Sequence, residues 1–228
     1  SVELLMEYLQ HLETIGNSIS TRNHRLTVLR SFFQYVQLME PAQMFAMQQL
    51  LTLKRKKQPK PVMNYLTIEG IKLLLSEPKS DTPHGYRDML LLSLLYETGA
   101  RASELISITA GDIRIESPPT IILHGKTGKA RIVPLSKEIT TLISRYLAKE
   151  RLLSPERREH LLFTNASRNK LTTAGISHIL KKHADSARLK KESLIPSPLS
   201  PHCLRHSKAM HLLQAGIDLI YIRDFLGH

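Results

Sequence analysis

The run from Leu199 to His228, LSPHCLRHSKAMHLLQAGIDLIYIRDFLGH, decides how this chain is read. Pro201 stands where a helix would take its first turn, a place that tolerates a missing N–H. His202 and Arg205 then fall at i and i+3, on one face of that helix. A guanidinium is a planar fork matched to phosphate oxygens, and imidazole moves protons near neutral pH. An HxxR pair is common by chance, and its bland reading is a surface pair. Arg101, far upstream, gives it weight. Arginines and histidines so distant in sequence act together only if a fold converges them.

Charge points the same way. Lys and Arg total 32 against 20 Asp and Glu over 228 residues, a formal net charge of +12. A balance this basic suits an anionic polymer, and a nucleic acid is the expected partner. The competing reading is a well-solvated basic surface. The single cysteine, Cys203, excludes an internal disulfide and a multi-cysteine zinc site. His202 and His206 have i, i+4 spacing, but Cys203 points elsewhere on a helix and no HExxH glutamate is present, so no metal is expected. No apolar run reaches the ~20 residues that span a membrane. A cytoplasmic protein associated with the nucleoid is the expectation. The chain opens on Ser1, which reads as a fragment or a processed product.

Working outward, residues 1–53 read as a small helical bundle. Leu4, Leu5, Tyr8, Leu9 and Leu12 make a helical stripe that stops near Gly16. Ser20 is a plausible N-cap for a second helix with Leu26, Leu29, Phe33 and Val36 on one side. Residues 54–65 change character, with Lys54-Arg55-Lys56-Lys57 followed by prolines, and read as a basic linker. From 66 to 228 the pattern is mainly α with a small antiparallel β-sheet. Thr67 caps a helix over 68–76, although Gly70 stands where a capping box has Glu. Met89 to Leu95 is apolar on nearly every side, so that helix is buried, and Gly99 can stop it. Thr120–Leu123 and Arg131–Pro134 alternate like strands around a glycine-bearing turn, His124-Gly125-Lys126-Thr127-Gly128-Lys129. Helices return at about 136–150, 172–187, 202–214 and 217–226.

Three stretches carry a resemblance. Leu199–His228 resembles the signature of the tyrosine recombinases, the phage integrase family. Thr98-Gly99-Ala100-Arg101-Ala102-Ser103-Glu104-Leu105 looks like that family's first-arginine box. His124–Leu135 looks like its β-hairpin lysine segment. The similarity covers about 66–228 and, more weakly, the bundle, which resembles the helical core-binding domain. It implies a core-binding domain joined to a recombinase catalytic domain.

The resemblance also implies roles. Arg101 and Arg205 grip the scissile phosphate, Lys126 protonates the leaving 5′ oxygen, and His202 assists proton transfer with the nucleophile. His228 hydrogen-bonds a phosphate oxygen, and Glu104 supports the active site from behind. Lys129 rivals Lys126 on the same turn. Arg22, Asn23, Arg25 and Lys54, Arg55, Lys56 and Lys57 are candidate DNA contacts. No cofactor is implied, and the family assembles as a tetramer on paired DNA sites. The family's nucleophilic tyrosine follows its last histidine, a position beyond His228. Tyr221 precedes that histidine on an apolar stretch and reads as a core residue. The chain is therefore expected to be truncated, to bind double-stranded DNA and not to cleave it. A type IB topoisomerase and a non-catalytic DNA binder on the same fold are the alternatives.

Overall fold

The computed structural model describes residues 1–58, 64–125 and 128–227. The chain divides into two compact units, Ser1–Val62 and Met63–His228. Among the described residues it is mainly helical with one small sheet.

The first unit is built from α1 (Val2–Thr14), α2 (Ile19–Met39) and α3 (Met44–Leu51). Its core is Leu5, Leu9, Leu12, Leu26 and Leu50, with Leu29 and Phe33 packed on the side. The N-cap of α2 is Ser18, not Ser20: the Ser18 hydroxyl accepts from the Thr21 N–H at 3.1 Å. Both serines satisfy the cap chemistry, and Gly16 (φ +86°) turns the chain early enough for the first one to be used. Asn23 fastens the segment after α3 back onto α2. Its side chain donates to the Lys56 carbonyl at 2.9 Å and accepts from the Lys56 N–H at 3.0 Å.

The second unit contains α4 (Ile68–Ser76), α5 (Pro83–Thr98), α6 (Ala102–Leu105), β1 (Ile113–Arg114), β2 (Thr120–His124) and β3 (Ala130–Pro134). It continues with α7 (Lys137–Lys149), α8 (Thr173–Lys190), α9 (Pro201–Gln214) and α10 (Leu219–Leu226). Thr67 caps α4 as expected, accepting from Gly70 N–H at 3.1 Å. Gly70 replaces a capping-box glutamate because a Cβ there would sit 2.6 Å from the Leu194 carbonyl oxygen. In α5, Leu90, Leu91, Leu92, Leu94 and Leu95 are all fully buried, so the helix runs through the middle of the core. The same helix carries Asp88, which accepts from Arg87 at 2.7 Å and meets His183 of α8 at 3.1 Å.

The sheet is antiparallel in the order β1-β2-β3. Its first strand, β1, is two residues long, below the length at which alternation can be read from sequence. Leu123 pairs with Arg131, and Ile121 with Val133. Ile121, Leu123 and Val133 are buried while Ile132 is exposed, so Arg131 lies on the inward face of β3.

One expectation fails in α10. Tyr221 is 71% exposed, not in the core. The helix is short and buries Ile222 and Leu226, one turn apart, leaving Leu219, Ile220 and Tyr221 outward. An apolar run with no polar face does not say which side will be covered. No described helix is long and apolar enough to cross a membrane.

Candidate active site

Helix α5 ends at Gly99, which adopts φ +58°. A Cβ there would meet Leu226 of α10 at 2.7 Å, so glycine serves both the left-handed turn and the close approach of a second helix. This turn delivers Arg101 to the N-cap position of α6. Three residues on, Glu104 is buried, with 2% of its side chain exposed. Its carboxylate accepts from the Arg101 backbone N–H at 2.8 Å and from the Arg101 guanidinium at 2.8 Å.

Helix α9 starts at Pro201 in its first turn, and His202 is exposed while Arg205 is buried. The Arg205 guanidinium donates to the Gly99 carbonyl at 2.6 Å and the Leu226 carbonyl at 2.7 Å. Burial first, then the charges of Arg101 and Arg131, push its pKa down to about 10, with Glu104 acting the other way. It remains a cation at neutral pH. Arg101, His202 and Arg205 line one cleft of ≈ 370 Å³, together with Ser103 of α6, Ser200 and Pro201 at the start of α9, and Thr173 and Ser177 of α8. The sequence thus brings a half-buried arginine, a buried arginine and a histidine to one concave surface.

Burial alone would raise the Glu104 carboxyl. The Arg131 hydrogen bonds, the Arg101 backbone N–H and the Arg101 guanidinium outweigh it, and the net direction is down. The carboxylate stays ionised because two guanidiniums face it. His206, one residue past Arg205, is driven toward its neutral form by burial and then by the charge of His202. Its ring packs edge-on to Tyr65 at 6.2 Å, and His211 meets the Tyr96 hydroxyl at 2.9 Å. Both are packing contacts with tyrosines, and neither histidine lines the cleft.

The chain matches the phage integrase family over residues 64–228. It is 38% identical to the tyrosine recombinase XerD of Listeria monocytogenes, over 93% of this chain and 69% of that protein. It is 34% identical to the putative integrase/recombinase y4rD of Sinorhizobium fredii, over 90% of this chain and 73% of that one. The chain belongs to the phage integrase family. It is a tyrosine recombinase, an enzyme of site-specific recombination. Among solved structures it resembles the XerH recombinase bound to its difH substrate, with 26% identity and a TM-score of 0.74 over 98% of this chain and 63% of that one. The Tn1549 transposon integrase in complex with transposon right end DNA shares the fold, with a TM-score of 0.77 at 18% identity over 100% of this chain and 77% of that one.

The other expected site residues of this recombinase are placed unevenly. Lys126 and His228 lie outside the described residues. Lys129 is exposed at the hairpin turn. Arg25 and Lys54, Arg55, Lys56 and Lys57 are exposed on the first unit. Arg22 is 9% exposed, ion-paired to Glu13 at 3.2 Å and bonded to Asn23 at 3.1 Å. Arg22 and Asn23 are therefore held by internal partners and brace the bundle. Sequence reasoning passed over Arg131, Thr173 and Ser177. The signal available for Arg131 was a charged residue in phase with Val133 on the inward face of a strand.

Proposed function

We propose that this recombinase binds duplex DNA and holds the scissile phosphate in the cleft between α6, α8 and α9. The observation that carries the reading is the convergence of Arg101, His202 and Arg205 on that cleft from segments about a hundred residues apart. Fixed cations help most where charge builds on the non-bridging oxygens during phosphoryl transfer. Arg101 and Arg205 supply them. In the full reaction a tyrosine oxygen attacks phosphorus and the P–O5′ bond breaks. The strand is left as a 3′-phosphotyrosyl ester with a free 5′-hydroxyl. Lys126 donates the proton to the leaving oxygen, His202 assists at the nucleophile, and His228 hydrogen-bonds a phosphate oxygen. The ester conserves the phosphodiester bond energy, so the balance needs neither nucleotide nor metal.

Arg25, Lys54, Arg55 and Lys57 are the proposed backbone contacts of the first unit, with Lys56 shared between Glu13 and the duplex. Their exposure supports the reading. We also propose assembly of several copies on paired sites, on nucleoid DNA in the cytoplasm. The outward run Leu219, Ile220 and Tyr221 supports a protein contact in that assembly.

The test is duplex binding by this chain at rising salt, with the size of the complex followed by sedimentation. Affinity should fall steeply, with a slope in log–log form of about −0.9 per phosphate contacted. Neutralising Lys54 and Arg55 to glutamine should reduce that slope by about two units on the same basis. Affinity that ignores salt would overturn the reading.

A further inference from the structure

Arg131 of β3 is bound on every nitrogen. Nη1 and Nη2 donate to the two oxygens of Glu104 at 3.0 and 2.9 Å, and Nε donates to the Phe225 carbonyl at 3.0 Å. Glu104 in turn receives four N–H donors, two from Arg101 and two from Arg131, so each carboxylate oxygen accepts two. Phe225 and Leu226 are the last residues of α10, and their adjacent carbonyls go to Arg131 and Arg205 respectively. Two guanidiniums thus occupy the negative end of one helix. Gly227, at φ +71°, lies against the side chain of Arg131: a Cβ there would stand 3.0 Å from Cδ and from Nη1.

We propose that Arg131 is a positioning residue that ties β3, α6 and α10 together and thereby sets Arg101 and Arg205 for the phosphate. This rests on the phosphate-gripping reading of those two arginines. Two physical effects act together. The fork on Glu104 fixes the carboxylate that orients Arg101 through both its backbone and its guanidinium. The charge of Arg131 also matches that of Glu104, so the carboxylate does not absorb the charge of Arg101. With Arg101, Arg131 and Arg205 against Glu104, three positive charges meet one negative, an excess of two. A phosphoryl-transfer transition state, with charge spread over its equatorial oxygens, is the complement of such an excess. Arg131 contributes without reaching into the cleft, where it is not a lining residue.

The test titrates inorganic phosphate into the intact chain and follows the Arg101 and Arg205 Nε–Hε resonances, well below the melting temperature of each variant. Arg101→Ala should abolish the response, which establishes the underlying reading. Arg131→Gln should weaken phosphate binding by about tenfold, and Arg131→Lys by about fivefold, because an ammonium keeps the charge but not the planar fork. Gly227→Ala keeps every charge and should also weaken binding, by pressing on Arg131 from outside. It serves if the Arg131 variants fail to fold.

Each other outcome overturns the proposal in a distinguishable way. If Arg101→Ala binds phosphate normally, the phosphate reading falls and takes this inference with it. If Arg101→Ala is dead while Arg131→Lys binds like the parent, Arg131 supplies charge alone. If the Arg131 and Gly227 variants only melt earlier, with parental phosphate affinity, their role is structural.

Discussion

The two units handle charge in opposite ways. In the first, Glu13 pairs with Arg22 and Lys56 at a partly exposed surface, over a core of five leucines. In the second, Glu104 lies almost wholly buried between two arginines, under a core that runs from Leu66 to Leu204. Exposed ion pairs are weak because water screens them, whereas a buried carboxylate is tolerated only when its partners are complete. The first unit uses charge to lace helices together. The second uses it to hold a surplus of cations in place beside the cleft lined by Arg101, His202 and Arg205.

The largest expected effect tests this contrast directly. Glu104→Gln leaves Arg101 and Arg131 without their shared partner and should cost about 3–5 kcal/mol of stability in the second unit. Glu13→Gln in the first unit should leave stability nearly unchanged, because water screens an exposed pair. Chemical denaturation, read separately for each unit, checks both. Equal losses in the two units would break the comparison.

A somewhat smaller effect follows from core size. Leu26 and Leu91 are both fully buried, and truncating either to alanine costs about 2–5 kcal/mol. In a core of five leucines that is a large share of the total stability of a small domain. Leu26→Ala should therefore remove the first unit's cooperative transition in calorimetry. Leu91→Ala should lower the second unit's transition and leave it cooperative. One transition that moves identically for both variants would show that the cores do not act separately.

The parts of the fold that were legible in sequence are those with local chemistry. Thr67, Gly99 and Pro201 each mark a helix end by a rule that needs only a few neighbours, and Arg101, His202 and Arg205 hang from those ends. Pairing of β2 with β3 was readable from alternation about a glycine turn. Arg131 was not, because its role exists only once α6 and α10 close over β3. Its phase with Val133 said that it points inward but not toward what. Tyr221 was misplaced because a run of apolar residues carries no phase. Arg22 was read as a candidate DNA contact, and its pairing with Glu13 was not legible because sequence shows a positive charge and not the carboxylate that meets it.

The smallest effect separates the units by pH. Burial holds His206 and His211 below the ordinary histidine pKa, so the folded second unit binds fewer protons there than its unfolded chain. Its stability should begin to fall as pH drops below about 6.5, the unperturbed histidine value. A further loss should follow below about pH 4, as Glu104 and Asp88, both depressed in the fold, take up protons. In the first unit the groups held low are Glu3 and Glu13, so its transition should stay level until the carboxylate range is reached. Melting temperatures of the two transitions between pH 8 and 3 check this, and His211→Gln should flatten the upper stage of the second unit only. If the first unit's transition falls first, or if His211→Gln leaves the second unit's curve unchanged, then burial of these histidines is not what couples this unit to protons.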